Sequence, residues 1–216
     1  MKKNILPICF CIFLFIASCK SDRKEISPTK QTAHAADSVI IDCNYTIEEA
    51  LKGTKAPQKT INKLTLIDVK YYSMDGKIHQ GQILTNQLIA NELKEIFEFI
   101  LKEKFPVAQV IPIVKYNWND ELSMIANNTY SFCYRNIGYS KHAKGMAIDI
   151  NPFQNPMRWK KEYSFRKDVP EGAIYNPEVP GTFTPEHAVV QKFNAMGFKW
   201  GRDFKRNDDD HHFEKR

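Results

Sequence analysis

Two short stretches carry residues that could do chemistry. The segment "YSKHAKGMAIDINPF" (residues 139–153) sets His142 seven residues before Asp149, and "RNDDDHHFEKR" (residues 206–216) sets three acids directly before a histidine pair. Imidazole nitrogen and carboxylate oxygen are donor types that hold a metal ion such as zinc. His142, Asp149 and one histidine of the tail would supply two nitrogens and one oxygen. A fourth position would stay open to water, as a catalytic centre requires and a structural one does not. The remaining histidines lack such company. His34 falls in a polar stretch, His79 in an expected strand and His187 in the first turn of an expected helix, and each reads as a surface or satisfied core residue.

The surrounding pattern indicates how the donors are positioned. From Gly145 to Asn151 the chain alternates, so Met146, Ile148 and Ile150 can enter a core while Gly145, Ala147, Asp149 and Asn151 face the other way. On one straight strand His142 and Asp149 would stand seven rises of about 3.3 Å apart, far more than the roughly 4 Å across a shared metal. The chain must therefore turn back, and Lys144 and Gly145 are where it could. In the tail, Trp200, Phe204 and Phe213 are large apolar anchors, which argues against a frayed end. Thr46 with Glu49 forms a capping box that predicts a short helix stopped at Gly53. Strands are expected over 64–72 and 77–84, joined by a turn at Asp75 and Gly76. Ile89, Leu93, Ile96, Phe97, Ile100 and Leu101 recur at helical spacing before Pro106, and a further helix is expected with Thr184 as cap, Pro185 at its first position and Gly197 as stop. Helices and antiparallel strands without a βαβ rhythm argue for the α+β class.

The N-terminus, "MKKNILPICFCIFLFIASC", has two lysines, an apolar run and small residues before a cysteine. That is the layout of a secretory signal, too short and unflanked for a spanning helix. Its "IASC" end resembles a bacterial lipoprotein signal, which implies lipidation at Cys19 and a stable membrane anchor. Residues 1–18 then read as signal peptide, 19–38 as a polar tether and 39–216 as the folded domain. Lys20 stands where an inner-membrane retention signal often has aspartate, so the expected address is the periplasmic side of the envelope, with the outer membrane favoured. Loss of Lys2 and Lys3 changes the balance of 31 bases and 25 acids to 29 against 25, or +4. The bases are scattered among acids, which argues against nucleic-acid binding. Cys43 and Cys133 are the thiols left to pair in an oxidising compartment, and their spacing alone does not say whether they meet.

Together, "SKHAKGMAIDINP", "GFKWG" and "DDHHFE" resemble the zinc peptidases of peptidoglycan. These are the D-alanyl-D-alanine carboxypeptidases and dipeptidases of the VanY and VanX type, and more closely the L-alanyl-D-glutamate endopeptidases of phage endolysins. The resemblance spans roughly Leu64 to Arg216 and implies a Hedgehog/DD-peptidase-like zinc fold, a small antiparallel sheet with flanking helices. It implies Zn2+ held by His142, Asp149 and His212, with Asp209 as general base three residues before the last ligand. It also implies Arg135, at the end of "NNTYSFCYR", on the scissile carbonyl, and Ser140 on a polar end of the peptide. The doubled histidine admits a shifted register of His211 with Asp208, although "HFE" favours His212; Arg202 and Phe204 replace the glycine and tryptophan often seen in relatives. If "NTYSFCYR" is a strand, Ser131, Cys133 and Arg135 share one face and Tyr130, Phe132 and Tyr134 the other. The implied protein is a monomeric, lipid-anchored zinc peptidase acting on the peptidoglycan stem peptide as a D-Ala-D-Ala carboxypeptidase or L-Ala-D-Glu endopeptidase. The alternative is a non-catalytic, zinc-containing cell-wall-binding lipoprotein.

Overall fold

The computed structural model describes residues 38–215. The signal, Cys19, His34 and almost all of the tether fall outside the described residues. In chain order the elements are β1 (Ile40–Ile41), α1 (Ile47–Ala50), α2 (Gln58–Ile61), β2 (Leu64–Ser73), β3 (Ile78–Asn86), α3 (Ala90–Lys102), β4 (Pro106–Val107), β5 (Gln109–Val110), α4 (Asp120–Ile125), β6 (Asn128–Thr129), β7 (Ala147–Asp149), β8 (Met157–Trp159), α5 (Ala188–Ala195), β9 (Phe198–Gly201) and β10 (Asn207–Lys215). Strands and helices are interleaved, with the longest pairings antiparallel and only two-residue parallel ladders, which fits the α+β class expected from the sequence.

The expected single antiparallel sheet is instead several sheets. One is mixed, in the order β1-β3-β2-β4: the β2–β3 hairpin is antiparallel, and β1 and β4 add to it in parallel. A second is antiparallel throughout and centred on β10, which pairs with β8 and β7 along one edge and with β9 along the other. A two-stranded parallel ladder joins β5 to β6. Helix α3 presents Leu93, Ile96, Phe97 and Ile100 to one core, where Ile67, Val69 and Ile83 of the first sheet meet Ile148, Trp200 and Phe213 of the second. Each such fully buried side chain contributes about 1.5–3 kcal/mol relative to an exposed one. The core therefore fixes β7 and β10, the strands that carry the candidate donors.

Local signals mostly hold. Thr46 and Glu49 make the reciprocal capping bonds of α1, at 3.2 and 2.8 Å. The α5 start differs from expectation: Thr184 and Pro185 belong to a preceding turn, and His187 caps the helix, its Nδ1 accepting from Val189 N at 3.2 Å. The His187 ring also lies against Phe105 and Phe183, so apolar packing fixed the cap one turn beyond the threonine. Segment 131–135 is not a strand. After the short β6 it bends, so Arg135 meets Tyr130 instead of facing away from it. Phe204, expected as an apolar anchor of the tail, lines the cleft described below. Cys43 and Cys133 are free, their thiols directed at the Val110 and Trp118 carbonyls. His79, expected to stand alone, bridges Asp42 (2.8 Å) and Asp75 (3.2 Å).

Candidate metal centre

His142 sits in a 3-10 turn, His142–Lys144, that Gly145 ends in the left-handed conformation at φ 64°. A Cβ at Gly145 would lie 2.8 Å from Asn86 N, so both backbone conformation and the close approach of β3 require glycine there. This turn folds His142 back toward Asp149 at the end of β7, as the spacing anticipated. Ser140 Oγ accepts from Ala143 N (3.2 Å) and so braces the turn while lining the cleft.

Asp149 and His212 are direct partners in the β7–β10 ladder. His142 Nε2, Asp149 Oδ1 and His212 Nδ1 converge in a triangle with edges of 3.1, 2.9 and 3.0 Å. Donors of a tetrahedral zinc at about 2.0–2.1 Å stand about 3.3 Å apart, so these three need to spread by only a few tenths of an ångström to hold such an ion. All three residues are buried. The far side of each imidazole is also engaged: His142 Nδ1 donates to Ser131 O (2.7 Å) and His212 Nε2 faces Glu214 Oε2 (3.4 Å). Such outer contacts set ring orientation and tautomer in metal sites. Glu214 had no assigned role in the sequence, although "HFE" contained it.

The histidine pair resolves into two environments. Along β9, Gly201 pairs with Asp209 and Trp200 with Phe213, so residues 210–212 form a bulge on β10. Asp209, His211, His212 and Glu214 all line the cleft, while Asp210 and Phe213 are buried elsewhere. Two adjacent histidines face one cavity because the bulge breaks the period-2 alternation. Gly201 allows β9 to approach here, since a Cβ on it would lie 2.7 Å from Asp209 O. His211 is not part of the three-donor group: its Nδ1 donates to Asn155 O (2.7 Å), and its Nε2 lies 3.0 Å from Asp209 Oδ1 and 4.0 Å from Asp149 Oδ2. Asp208 turns to Arg158 and Lys160 (3.7 and 3.6 Å), away from the shifted register.

The charges follow from this arrangement. Burial pushes the Asp149 carboxyl up, but the charges of His142 and His211 and hydrogen bonds from His142 and His212 outweigh it and hold the group well below its ordinary value. Burial opposes charge on His212 and His211 as well. Hydrogen bonds to Asp149 and Glu214 nevertheless raise His212 to about 10, and the charges of Asp209 and Asp149 raise His211 to about 9. The surrounding carboxylates thus favour positive charge at His212. Both histidines, raised above 6.5, contribute stability that is complete below that pH and lost as pH rises through about 9 to 10. Asp149, depressed, contributes stability that is lost only as pH falls below about 3.8. The metal-free protein is therefore expected to show a urea midpoint that declines from pH 6.5 to pH 10. A midpoint that rises over this interval would contradict the assigned charges.

Asp209 lies beside the triangle, its side chain 16% exposed to the cleft. Burial raises its carboxyl, and the nearby charge of His211 outweighs this to lower it. Its Oδ1 is close to His211 but is not met by an aligned N–H, leaving it without a satisfied hydrogen bond. Arg135 forms the opposite wall. Its Nη2 pairs with Asp120 Oδ2 (2.7 Å) and donates to Tyr130 OH (3.2 Å), and its buried Nε has no partner. Tyr130 OH in turn donates to Asp120. Asp120 and Tyr130 escaped sequence reading because their role depends on α4 and β6 meeting in space. The cleft, about 340 Å³, is completed by Met157, Val169 and Phe204.

Behind β10, Asp210 is fully buried and accepts from Arg158 Nε and Nη2 (3.1 and 2.7 Å) and from Arg202 Nη1 (3.0 Å). Both guanidiniums lie over the Tyr175 ring, at 4.5 and 4.8 Å. Arg202, a departure from the resembled pattern, is thus half of a clamp on the strand. Removing one member of a buried pair costs about 3–5 kcal/mol when it strands a buried charge. Here burial raises the Asp210 carboxyl despite both arginines, and these are partly exposed and can return to water, so Asp210→Ala is expected to cost about 1–2 kcal/mol. The check is its urea midpoint at unchanged m-value; a loss below about 0.5 kcal/mol would contradict the clamp.

Comparison with known families adds to the geometry. The model of the D-alanyl-D-alanine carboxypeptidase family matches residues 135–215. That stretch carries the family pattern and contains His142, Asp149, Asp209 and His212, whereas Asp120 and Tyr130 precede it. No curated protein and no solved structure matches the chain. The C-terminal part thus has the pattern of a peptidase family, and its buried His142–Asp149–His212 group could hold a metal ion.

Proposed function

We propose that the protein is a zinc-dependent peptidase that hydrolyses peptide bonds of peptidoglycan stem peptides, as a D-Ala-D-Ala carboxypeptidase or an L-Ala-D-Glu endopeptidase on a Hedgehog/DD-peptidase-like fold. The observation that carries this reading is the convergence of His142 Nε2, Asp149 Oδ1 and His212 Nδ1 within about 3 Å of one another at a cleft that also contains Asp209 and Arg135. Zinc there supplies Lewis acidity, acidifying water and polarising a carbonyl. Asp209, a carboxylate that lines the cleft beside the three donors, takes a proton from the attacking water and returns it to the leaving amine. Arg135, held by Asp120 and Tyr130, lines the cleft and offers the exposed part of its guanidinium to the developing oxyanion. Donors of this kind contribute about 3–4 kcal/mol in the transition state. Ser140 retains its hydroxyl proton and donates it to a polar end of the peptide.

In the same reading the chain is a monomer anchored through lipidated Cys19, residues 19–38 tether the domain, and the site works on the periplasmic side of the envelope, with the outer membrane favoured by Lys20. Hydrolysis of isolated stem peptides tests the activity: it is expected to stop with chelator, return with zinc, and reveal the cleaved bond by product mass. Undiminished cleavage in metal-free protein would refute it.

A further inference from the structure

A second cavity, about 610 Å³, lies on the other side of the chain segment that supplies Arg135. Tyr134 and Asn136 line it, whereas Arg135 between them lines the metal cleft. Because Tyr134 and Asn136 border one space and Arg135 the other, this short stretch of backbone is a wall shared by both. The other walls bring Thr54, Lys55, Asn117 and Trp118.

Trp118 is held in an unusual way. Asn117 and Trp118 both have left-handed backbone, at φ 53° and 62°. Asparagine tolerates that region when it ends a turn, but a bulky aromatic residue there is an outlier. Such strain persists only where surrounding contacts enforce it, and it is concentrated at binding sites. Here the contacts are visible: the indole N–H donates to Lys52 O (2.9 Å) and the ring stands edge-on to Phe132 at 5.9 Å. The indole is therefore fixed and its one polar atom is used; the part of its carbon surface not packed against Phe132 and the neighbouring apolar side chains borders the cavity. Around it are two side-chain amides, a threonine hydroxyl free to donate and one ammonium. A flat apolar plate bordered by paired donors and acceptors suits a pyranose ring, which has a C–H face and a hydroxylated rim. The amides of Asn117 and Asn136, each donor and acceptor at once, suit an acetamido substituent. A site for a small anion would need more cationic groups than the single Lys55, and an apolar ligand would leave the amides unpaired.

We propose that this cavity is a saccharide subsite for an N-acetylhexosamine residue. The saccharide assignment stands on the lining; its identification with the glycan strand that carries the stem peptide rests on the proposed function. Sharing a wall with the metal cleft, the subsite would hold the glycan while the attached peptide reaches the metal side of the segment.

The test uses the N-acetylglucosamine tetramer as probe, with titration calorimetry and saturation-transfer NMR on chelator-treated protein, so that catalysis plays no part. Saturable binding is expected, weakened about tenfold or more in Trp118→Ala, which removes the aromatic plate. Exposed Asn136→Ala, whose fold is not at risk, is expected to weaken it as well. Absence of saturable binding, or equal binding by both variants, overturns the subsite. A second arm compares hydrolysis of free and glycan-linked stem peptide: both variants are expected to lose rate only on the glycan-linked form, and equal loss on both overturns the link to the wall strand. If wild-type protein binds the tetramer yet cleaves neither substrate, the subsite stands and the proposed peptidase activity falls.

Discussion

Asp209→Asn protein is expected to keep one zinc per chain and to hydrolyse stem peptides about 10²–10⁴-fold more slowly, the range for removal of a general base. The asparagine keeps size and can still face His211, so β10 and the Gly201 contact should stay in place. What disappears is a basic oxygen beside the donor triangle. Even the lower bound corresponds to about 2.7 kcal/mol of transition-state stabilisation. The loss should fall on kcat, because proton transfer is made in the transition state and not in substrate binding. Two results would count against the role. Unchanged turnover would mean another base acts, and loss of zinc would mean Asp209 is a ligand.

Asp149→Asn addresses the triangle itself. Changes to groups that merely orient ligands reduce metal affinity about 10–100-fold, so removing the carboxylate ligand should exceed about a hundredfold and abolish hydrolysis. The substitution also removes the charge that favours a proton on His212, so that ring should titrate closer to its ordinary value. Elemental analysis after dialysis reads the first effect and histidine NMR in metal-free protein the second. Retention of one tightly bound zinc would eliminate Asp149 as a ligand. Circular dichroism separates this outcome from unfolding.

The relation of these residues to the sequence is uneven for physical reasons. The turn at Gly145 was legible because a straight strand could not bring His142 and Asp149 together, leaving a flexible residue between them as the place to reverse. The core positions Ile148, Ile150, Trp200 and Phe213 were legible from alternation and size. The double histidine was not resolved from the tail itself, since local pattern does not announce the bulge that sends both rings into the cleft. Asp120, Tyr130 and Glu214 carried no distinguishing signal either: an acid near a helix start, an aromatic in an apolar run and an acid near the end are all commonplace until tertiary contacts give them partners. The Tyr130–Arg135 contact was missed because a regular strand was expected where the backbone bends.

The bulge in β10 also bears on how a cation enters. A flat strand can slide by two residues and keep its faces, but a strand kinked at 210–212, with ladders on both edges and Asp210 clamped by two arginines, has one register only. The three donors are thus held near their final spacing before any ion arrives. Loading then needs release of the proton from His212 and a small outward shift of three side chains, with no strand exchange. Uptake should be a local and rapid event, separate from the slower formation of the fold.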